Sequence, residues 1–512
     1  MTAQFPKVTA ADWRAQVEKD LAGASFEKTL VAKTAEGLAV EPLYTQAPAL
    51  QIPGMPAHFS LSLRQRGEGG VRGPGRAQPL TRPAADLSPQ SQGEVTIHSD
   101  PPEDLTSPFI LDRDPLGPDF LATAKRVDAD YPHGTAGLIS TLTHHDAGAD
   151  AADELAIALA AGVAALESLL QAGFTAPRAA RQLAVQLAVG RDTFNELAKL
   201  RALRLCWNKL LTAAGAPNTK LLIHAVCSSR TMTQRDPWVN MLRGTTQVFA
   251  AILGGADVIT PTAFDQELGT PSELGLRVAM NTGLVLRHES LLGHVIDPAA
   301  GSYYLDTFTD ALAREAWKRF QAIEAAGGII QALPTLEAHI AATWQQRLES
   351  VSKRRTPILG VSEFANPDEK LPLPARAFTG PGHRDAEVFE QLRLRADAKS
   401  PHAILVTLGT LAESRARVGF ASNFLSAGGI RTRETTADEK AVVACLCGTD
   451  ERYATEAIAR AMALKAAGCT RVLMAGRPGP NEAALREAGV DGFIFLGCDL
   501  IASLNELLDV YP

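Results

Sequence analysis

The sequence predicts an α/β protein in two parts: a parallel barrel of βα units, then a smaller doubly wound α/β domain. Three observations carry this. Between about 135 and 345, short β-rich runs alternate with amphipathic helical stretches, the pattern of parallel βα units in a TIM-type barrel. From 401 to 512 the pattern restarts as five strands with helices between them, as in a flavodoxin-like sheet. A chain of 512 residues is also long enough for at least two domains.

Residues 1–45 read as an N-terminal arm. Trp13, Val17 and Leu21 recur every four residues, which predicts an amphipathic helix over 10–22. β-type runs follow around Thr29–Ala32 and Leu38–Val40, split by a turn at Glu36-Gly37. Such an arm either wraps a neighbouring chain or folds back on its own domain, and both readings stand. The barrel is expected over 46–345. Within it, residues 64–93 are dominated by Gly, Pro, Arg and Ser, with too few apolar groups to offset ordering entropy, so a long mobile loop is expected there.

The barrel elements follow in order. GLISTL at 137–142 is a short strand, and a helix is expected from Asp150 to Ala172. The next helix, 191–214, sets Phe194, Leu197, Leu200 and Leu203 on one face. KLLIHAV at 220–226 is a β-rich apolar run, a buried strand. A helix at 238–254, a strand at 256–260, a helix at 272–290 and a helix at 308–326 complete the series, the last stopped by Gly327-Gly328. Only about 90 residues separate the arm from the strand at 137, where three βα units need more, so the first strands are expected to be shortened or missing. A connector spans 346–400, and the final domain, 401–512, carries strands near 403–408, 429–434, 441–447, 471–475 and 492–496.

Composition excludes several functions. A net charge of −7 argues against a nucleic-acid footprint, which needs a basic face. No apolar run reaches the roughly 20 residues of a membrane helix, and the first twenty residues show no signal-peptide core. Six scattered cysteines without C-x-x-C spacing suggest neither a metal site nor a disulfide framework. A cytoplasmic protein is expected.

Among residues that could carry chemistry, His224 lies on a predicted barrel strand that ends at Cys227 and Ser228. The plainer reading is a core imidazole satisfied by backbone. His144-His145-Asp146 has the look of a metal triplet, but adjacent histidines face opposite ways, so it is read as structural. Gly476 and Gly479 sit between a strand and a helix and could cradle a phosphate, though a plain βα turn is preferred. Cys445 and Cys447 alternate onto one strand face and read as core.

The words RVAMNTG (277–283) and DPAAGSYY (297–304), followed by GVSEF and VVACLCGTDERY, resemble the methylmalonyl-CoA mutase family over most of the chain. Catalytic members carry H-x-Q-T-S-G at the strand where this chain keeps His224 but has Val226 and Ser228-Ser229-Arg230. They carry G-G-T-Q-S-L-H-T-N at the next strand, where Asp257, Thr260 and Thr262 replace Gln, His and Asn, and then D-E-A, where Gln266 replaces the Glu. Their substrate-clamping T-R-G-x-Y-x-T-M-Y has no counterpart in 46–80. Their terminal domain opens G-x-D-x-H-x-x-G, whose His ligates cobalt; here Leu411, Glu413 and Ala416 stand at the Asp, His and second Gly.

The resemblance therefore implies the small, noncatalytic subunit of a heterodimer. It implies a catalytic large subunit as partner, which interconverts (R)-methylmalonyl-CoA and succinyl-CoA with adenosylcobalamin. It also implies that this chain binds no cofactor of its own and that acyl-CoA is met through the partner. Barrel-mouth positions His224, Gln266, Arg277 and Asn281 would be vestiges, and DPAAGSYY a scaffold in which Asp297 caps, Gly301 turns and Tyr303–Tyr304 pack. Two alternatives remain: an active acyl-CoA mutase that borrows cobalamin from a separate protein, and a free-standing regulatory or binding protein.

Overall fold

A computed structural model describes residues 9–56, 60–61, 95–100, 108–375, 377 and 382–512; the loop expected at 64–93 lies outside them. The chain divides into two compact units. The first comprises residues 1–228, 245–262 and 280–343, and the second 229–244, 263–279 and 344–512.

The first unit opens with helix Ala10–Asp20, started by a capping box between Thr9 and Asp12. Where the sequence suggested strand around Thr29–Ala32, a one-turn helix Phe26–Leu30 forms, because Ser25 caps it by accepting from the Lys28 amide. Strands β1 (Ala32–Lys33) and β2 (Ala39–Val40) then pair antiparallel, and Gly37 takes φ +80° in the turn between them. Glu36 in that turn is buried and accepts from the Ala151 amide and from Asn195, so the hairpin is anchored on its own unit.

The remaining strands of this unit are all parallel. β3 (Ser60–Leu61) pairs with β10 (Val258–Thr260), β10 with β9 (Leu222–Cys227), β9 with β8 (Leu183–Val189), and β8 with β7 (Gly137–Ser140). A second sheet orders β4 (Thr96–His98), β5 (Phe109–Leu111) and β6 (Gly134–Thr135), and β6 runs into β7 through buried Ala136. Early strands of two or three residues contrast with seven in β8. Among the described residues no pairing joins β3 to β4.

Strand β8 did not stand out in the sequence. LAVQLAV is buried at every position, so it lacks the alternation that marks a half-buried strand. Helix Phe120–Asp130 was also missed, and helix Tyr303–Ala325 starts five residues before its expected beginning because Ser302 caps it. Helix Ala151–Gln171, capped by Asp150, is buried on nearly all sides along Ala151–Gly162. It packs with helices Thr193–Ala213 and Tyr303–Ala325. Gly162 permits the closest approach: a Cβ there would lie 2.6 Å from the Trp207 ring.

In the second unit, β11 (His402–Thr407), β12 (Arg431–Thr435), β13 (Val443–Cys447), β14 (Arg471–Ala475) and β15 (Gly492–Ile494) form one parallel sheet in the order β12-β11-β13-β14-β15. Alternate side chains build two cores. Leu405, Cys445, Cys447 and Leu473 pack with Phe424 and Leu504 on one face, while Ile404, Leu446 and Met474 pack with Ala457 and Leu464 on the other. Cys445 and Cys447 are thus core residues, as their alternation suggested. No helix among the described residues is long and apolar enough to cross a membrane.

Candidate functional site

Strand register in the first unit brings Ser140, Gln186 and His224 side by side, because Ser140 pairs with Gln186 and Gln186 with His224. Ser140 Oγ donates to Gln186 Oε1 at 2.7 Å. Gln186 Nε2 lies 2.8 Å from His224 Nδ1, and His224 Nε2 lies 2.8 Å from Thr260 Oγ1. Gln186, His224 and Thr260 are all buried. His224 is therefore a core imidazole to which side chains on both adjacent strands bond.

The other replaced polar positions are committed in the same way. Thr262 donates to the Cys227 carbonyl at 2.7 Å. Asp257 sits at the opposite, N-terminal end of β10, where it accepts from the Ile223 amide and pairs with Arg204 and Lys220.

A second buried cluster lies at the C-terminal ends of β7, β8 and β9. His145 Nδ1 is 2.9 Å from Glu154 Oε1, and His145 Nε2 is 2.7 Å from Ser228 Oγ. Lys199 Nζ lies 2.9 Å from Glu154 and 2.7 Å from Glu196, and Thr141 donates to Glu154. Burial opposes ionisation of Glu154, but the charges of Lys199 and His145 overcome it and hold the carboxyl well below its usual range. At Glu196 burial prevails over Lys199 and raises the carboxyl. Burial would lower Lys199, yet Glu154 and Glu196 hold its ammonium above the ordinary value.

Ser228, His145 and Glu154 have the order of nucleophile, base and orienting acid. Ser228 is 3% exposed and Lys199 is drawn onto the same Glu154, so the group is a buried network whose members bond to one another. The sequence singled out His145 without its partners, since Glu196 and Lys199 sit on helix Thr193–Ala213 and meet Glu154 only once that helix packs against Ala151–Gln171. Among the described residues no group of three His, Cys, Asp or Glu gathers as for a metal.

Gln266 and Arg277 belong to the second unit and Asn281 to the first, so the vestigial set is not gathered in one unit. Gln266 Nε2 is 3.3 Å from Ser229 Oγ, whereas Arg277 and Asn281 are exposed one turn apart on helix Glu273–His288. In DPAAGSYY, Gly301 turns with φ +83° as expected. Asp297 is not the cap: it pairs with Arg201, and Ser302 caps. Tyr304 stacks on Phe308, but Tyr303 is half exposed and does not pack as expected.

In the second unit the C-terminal ends of β11 and β13 flank the point where strand order reverses, the place at which such sheets bind ligands. Helix Leu411–Ala427 follows β11 and helix Asp450–Ala466 follows β13. Glu413 is the third residue of the first helix and closes a capping box with Thr410, accepting from its amide at 2.6 Å and its hydroxyl at 2.7 Å. Arg452 on the second helix reaches across to it, Nε to Oε1 at 3.1 Å and Nη2 to Oε2 at 3.2 Å. These bonds, Arg452's first, lower the Glu413 carboxyl to about 2.

The pair covers Gly409, where an added Cβ would lie 2.6 Å from both Arg452 Nε and Glu413 Oε2. Leu411 is 65% exposed and Ala416 is exposed. Between β13 and β14, Tyr453 donates to the Ala475 carbonyl and accepts from the Gly448 amide. A cobalt ligand at 413 would need a free donor and a hydrogen-bonding buttress at 411. Residues 413 and 411 offer neither: both carboxylate oxygens of Glu413 are engaged, and the Leu411 side chain has no acceptor. Gly476, after β14, is followed by a helix of six residues, which leaves it a βα turn.

The family description "Methylmalonyl-CoA mutase" matches residues 122–443. A protein of Streptomyces virginiae named methylmalonyl-CoA mutase small subunit is 34% identical over 99% of this chain and 98% of its own. That alignment runs 608 positions against 512 residues here, so this chain lacks segments the relative carries. The small subunit of Propionibacterium freudenreichii subsp. shermanii is 38% identical over 74% of this chain and 64% of its own. A probable small subunit of Mycobacterium bovis is 40% identical over 71% and 63%. This chain thus covers less than two thirds of those last two relatives.

Proposed function

We propose that this chain, which belongs to the methylmalonyl-CoA mutase family and groups with its small subunits, is the noncatalytic member of a heterodimer. Its larger partner would supply the chemistry, interconverting (R)-methylmalonyl-CoA and succinyl-CoA with adenosylcobalamin, while this chain stabilises the complex. Acyl-CoA would be met only through that partner.

The observation that carries the reading is the Glu413–Arg452 pair across the crevice of the second unit. In place of a metal-binding imidazole stands a carboxylate turned inward to its own helix cap and to the neighbouring helix. The first unit agrees with this. Its strand-borne polar groups bond to each other, as in Ser140–Gln186–His224–Thr260, which supports a noncatalytic role, since a catalytic centre keeps such groups for its substrate.

The test is purification of the tagged chain from its own cells, with mutase activity assayed on the isolated chain and on the co-purified complex. The expected result is stoichiometric recovery of a larger chain carrying D-x-H-x-x-G and T-R-G-x-Y, with activity only in the complex. Activity of the isolated chain with added adenosylcobalamin, or with a separate cobalamin-binding protein, overturns the proposal. Recovery of the chain alone from cells that express the large subunit overturns it too.

A further inference from the structure

We propose that the first unit holds a binding site for a small organic anion, one bearing a carboxylate or a phosphate, in a cavity at the N-terminal ends of β9 and β10. The cavity measures about 360 Å³, inside the roughly 300–1,000 Å³ typical of small-molecule pockets. Helix Thr193–Ala213 forms one wall, where Arg204, Trp207 and Asn208 fall three and four residues apart on one face. The segment leading to Lys220 and the turn at Pro53–Pro56 form the others.

Charge and hydrogen-bonding capacity point to the ligand. Arg204 and Lys220 share one carboxylate, each 2.8 Å from Asp257, so the cluster keeps an excess of positive charge. Arg204 is also tied to the Leu221 and Gly255 carbonyls, while Lys220 is half exposed and has ammonium protons to spare. Trp207 is 1% exposed, and its indole N–H has no hydrogen-bond partner. Folded proteins rarely leave a buried donor in that state. The six-membered edge of the same ring is held against Gly162, which leaves the edge bearing Nε1 as the one with a vacant bond. Indole and ammonium are donors only, so the partner either of them takes is an acceptor, and the excess positive charge favours an anionic one.

The wall opposite is fixed in place. Gly255 takes φ +82°, and a Cβ there would lie 2.4 Å from Met55 Sδ, so the 53–56 turn is seated directly on the strand entry. The cavity is also separate from the polar network around His145 and Ser228, which lies at the other ends of the same strands, and the inference does not rest on the proposed function.

The experiment uses the full chain with ¹⁵N-indole-labelled tryptophan, five in all, and Trp207→Phe to assign its signal. Inorganic phosphate and malonate are titrated separately at constant ionic strength. The expected result is a saturable downfield movement of the Trp207 indole resonance with at least one of them, the other four staying in place. Response to phosphate alone specifies a tetrahedral oxyanion, and response to malonate a carboxylate. Lys220→Gln, a half-exposed change that leaves Asp257 paired with Arg204, is expected to weaken binding about tenfold. A Trp207 resonance that stays still or drifts linearly with both anions overturns the proposal, as does unchanged affinity in Lys220→Gln.

Discussion

The two units dispose of their polar groups in opposite ways. In the first, Glu154, Lys199, Glu196 and His145 meet in an interior where Lys199 is 1% exposed. In the second, Glu413 and Arg452 meet across a crevice with each side chain more than a third exposed. Both arrangements bind acidic and basic side chains to each other, yet their energetics differ. A buried ion network has been taken out of water, so each member depends on the others. An exposed pair is screened, so it can occupy a site without contributing much to stability. The first unit is therefore expected to fail when a single member is removed, and the second is not.

The largest effect should follow Lys199→Met. It leaves Glu154 and Glu196 buried beside each other with their shared cation gone, a loss of about 3–5 kcal/mol, read from the urea midpoint of the first unit's transition. The pH dependence sharpens the comparison. Glu154 has a lowered folded pKa, so its contribution is present above the ordinary carboxylate range and is lost as the pH falls through the folded value. Glu196 is shifted upward, so it takes up a proton sooner as the solution is acidified. The deficit of Lys199→Met should therefore be largest at and above neutrality and shrink on acidification, beginning above the ordinary carboxylate range, because burial no longer opposed by the ammonium raises the variant's carboxyls. A deficit that is constant across this range would mean that packing, not charge, holds the cluster.

A smaller loss is expected at His224. His224→Leu orphans Gln186 and Thr260 in the interior, at about 1–3 kcal/mol for each polar group left unpaired. Adding Gln186→Leu should recover part of it, so the two changes fall short of additivity in a double-mutant cycle. Full additivity would show that the row from Ser140 to Thr260 is not a coupled network.

The same residues show what could be read in advance. Helix Ala151–Gln171 and strand β9 were legible because apolar periodicity, Asp150 and the turn residues around them are local signals. The partners of His224 were not, since Gln186 lies on β8, which is buried at every position and so carries no period. Its meeting with His224, 38 residues on, is fixed by strand register alone. The Lys199 cluster was hidden for a different reason: a charged residue on a long helix reads as solvated until the helices packed around it are known. In the second unit the decisive bonds are nearly local. Thr410 and Glu413 lie three residues apart, and the missing His was visible directly, while Arg452 across the crevice was not.

The smallest change in stability, and the clearest test of the contrast, is expected for Arg452→Gln. Glu413 has its folded pKa lowered to about 2, first by Arg452 and then by Thr410. The link therefore contributes above the ordinary carboxylate value of 4.5 and is lost as the pH falls toward 2. Removing the guanidinium should move the Glu413 titration, followed by ¹³C-carboxyl NMR, upward toward 4.5 while the capping box with Thr410 keeps it somewhat below. Melting temperature at neutral pH should hardly move, because an exposed pair is screened. A large drop in melting temperature would mean that the crevice strap is structural after all, and that the two units secure their polar groups in the same way.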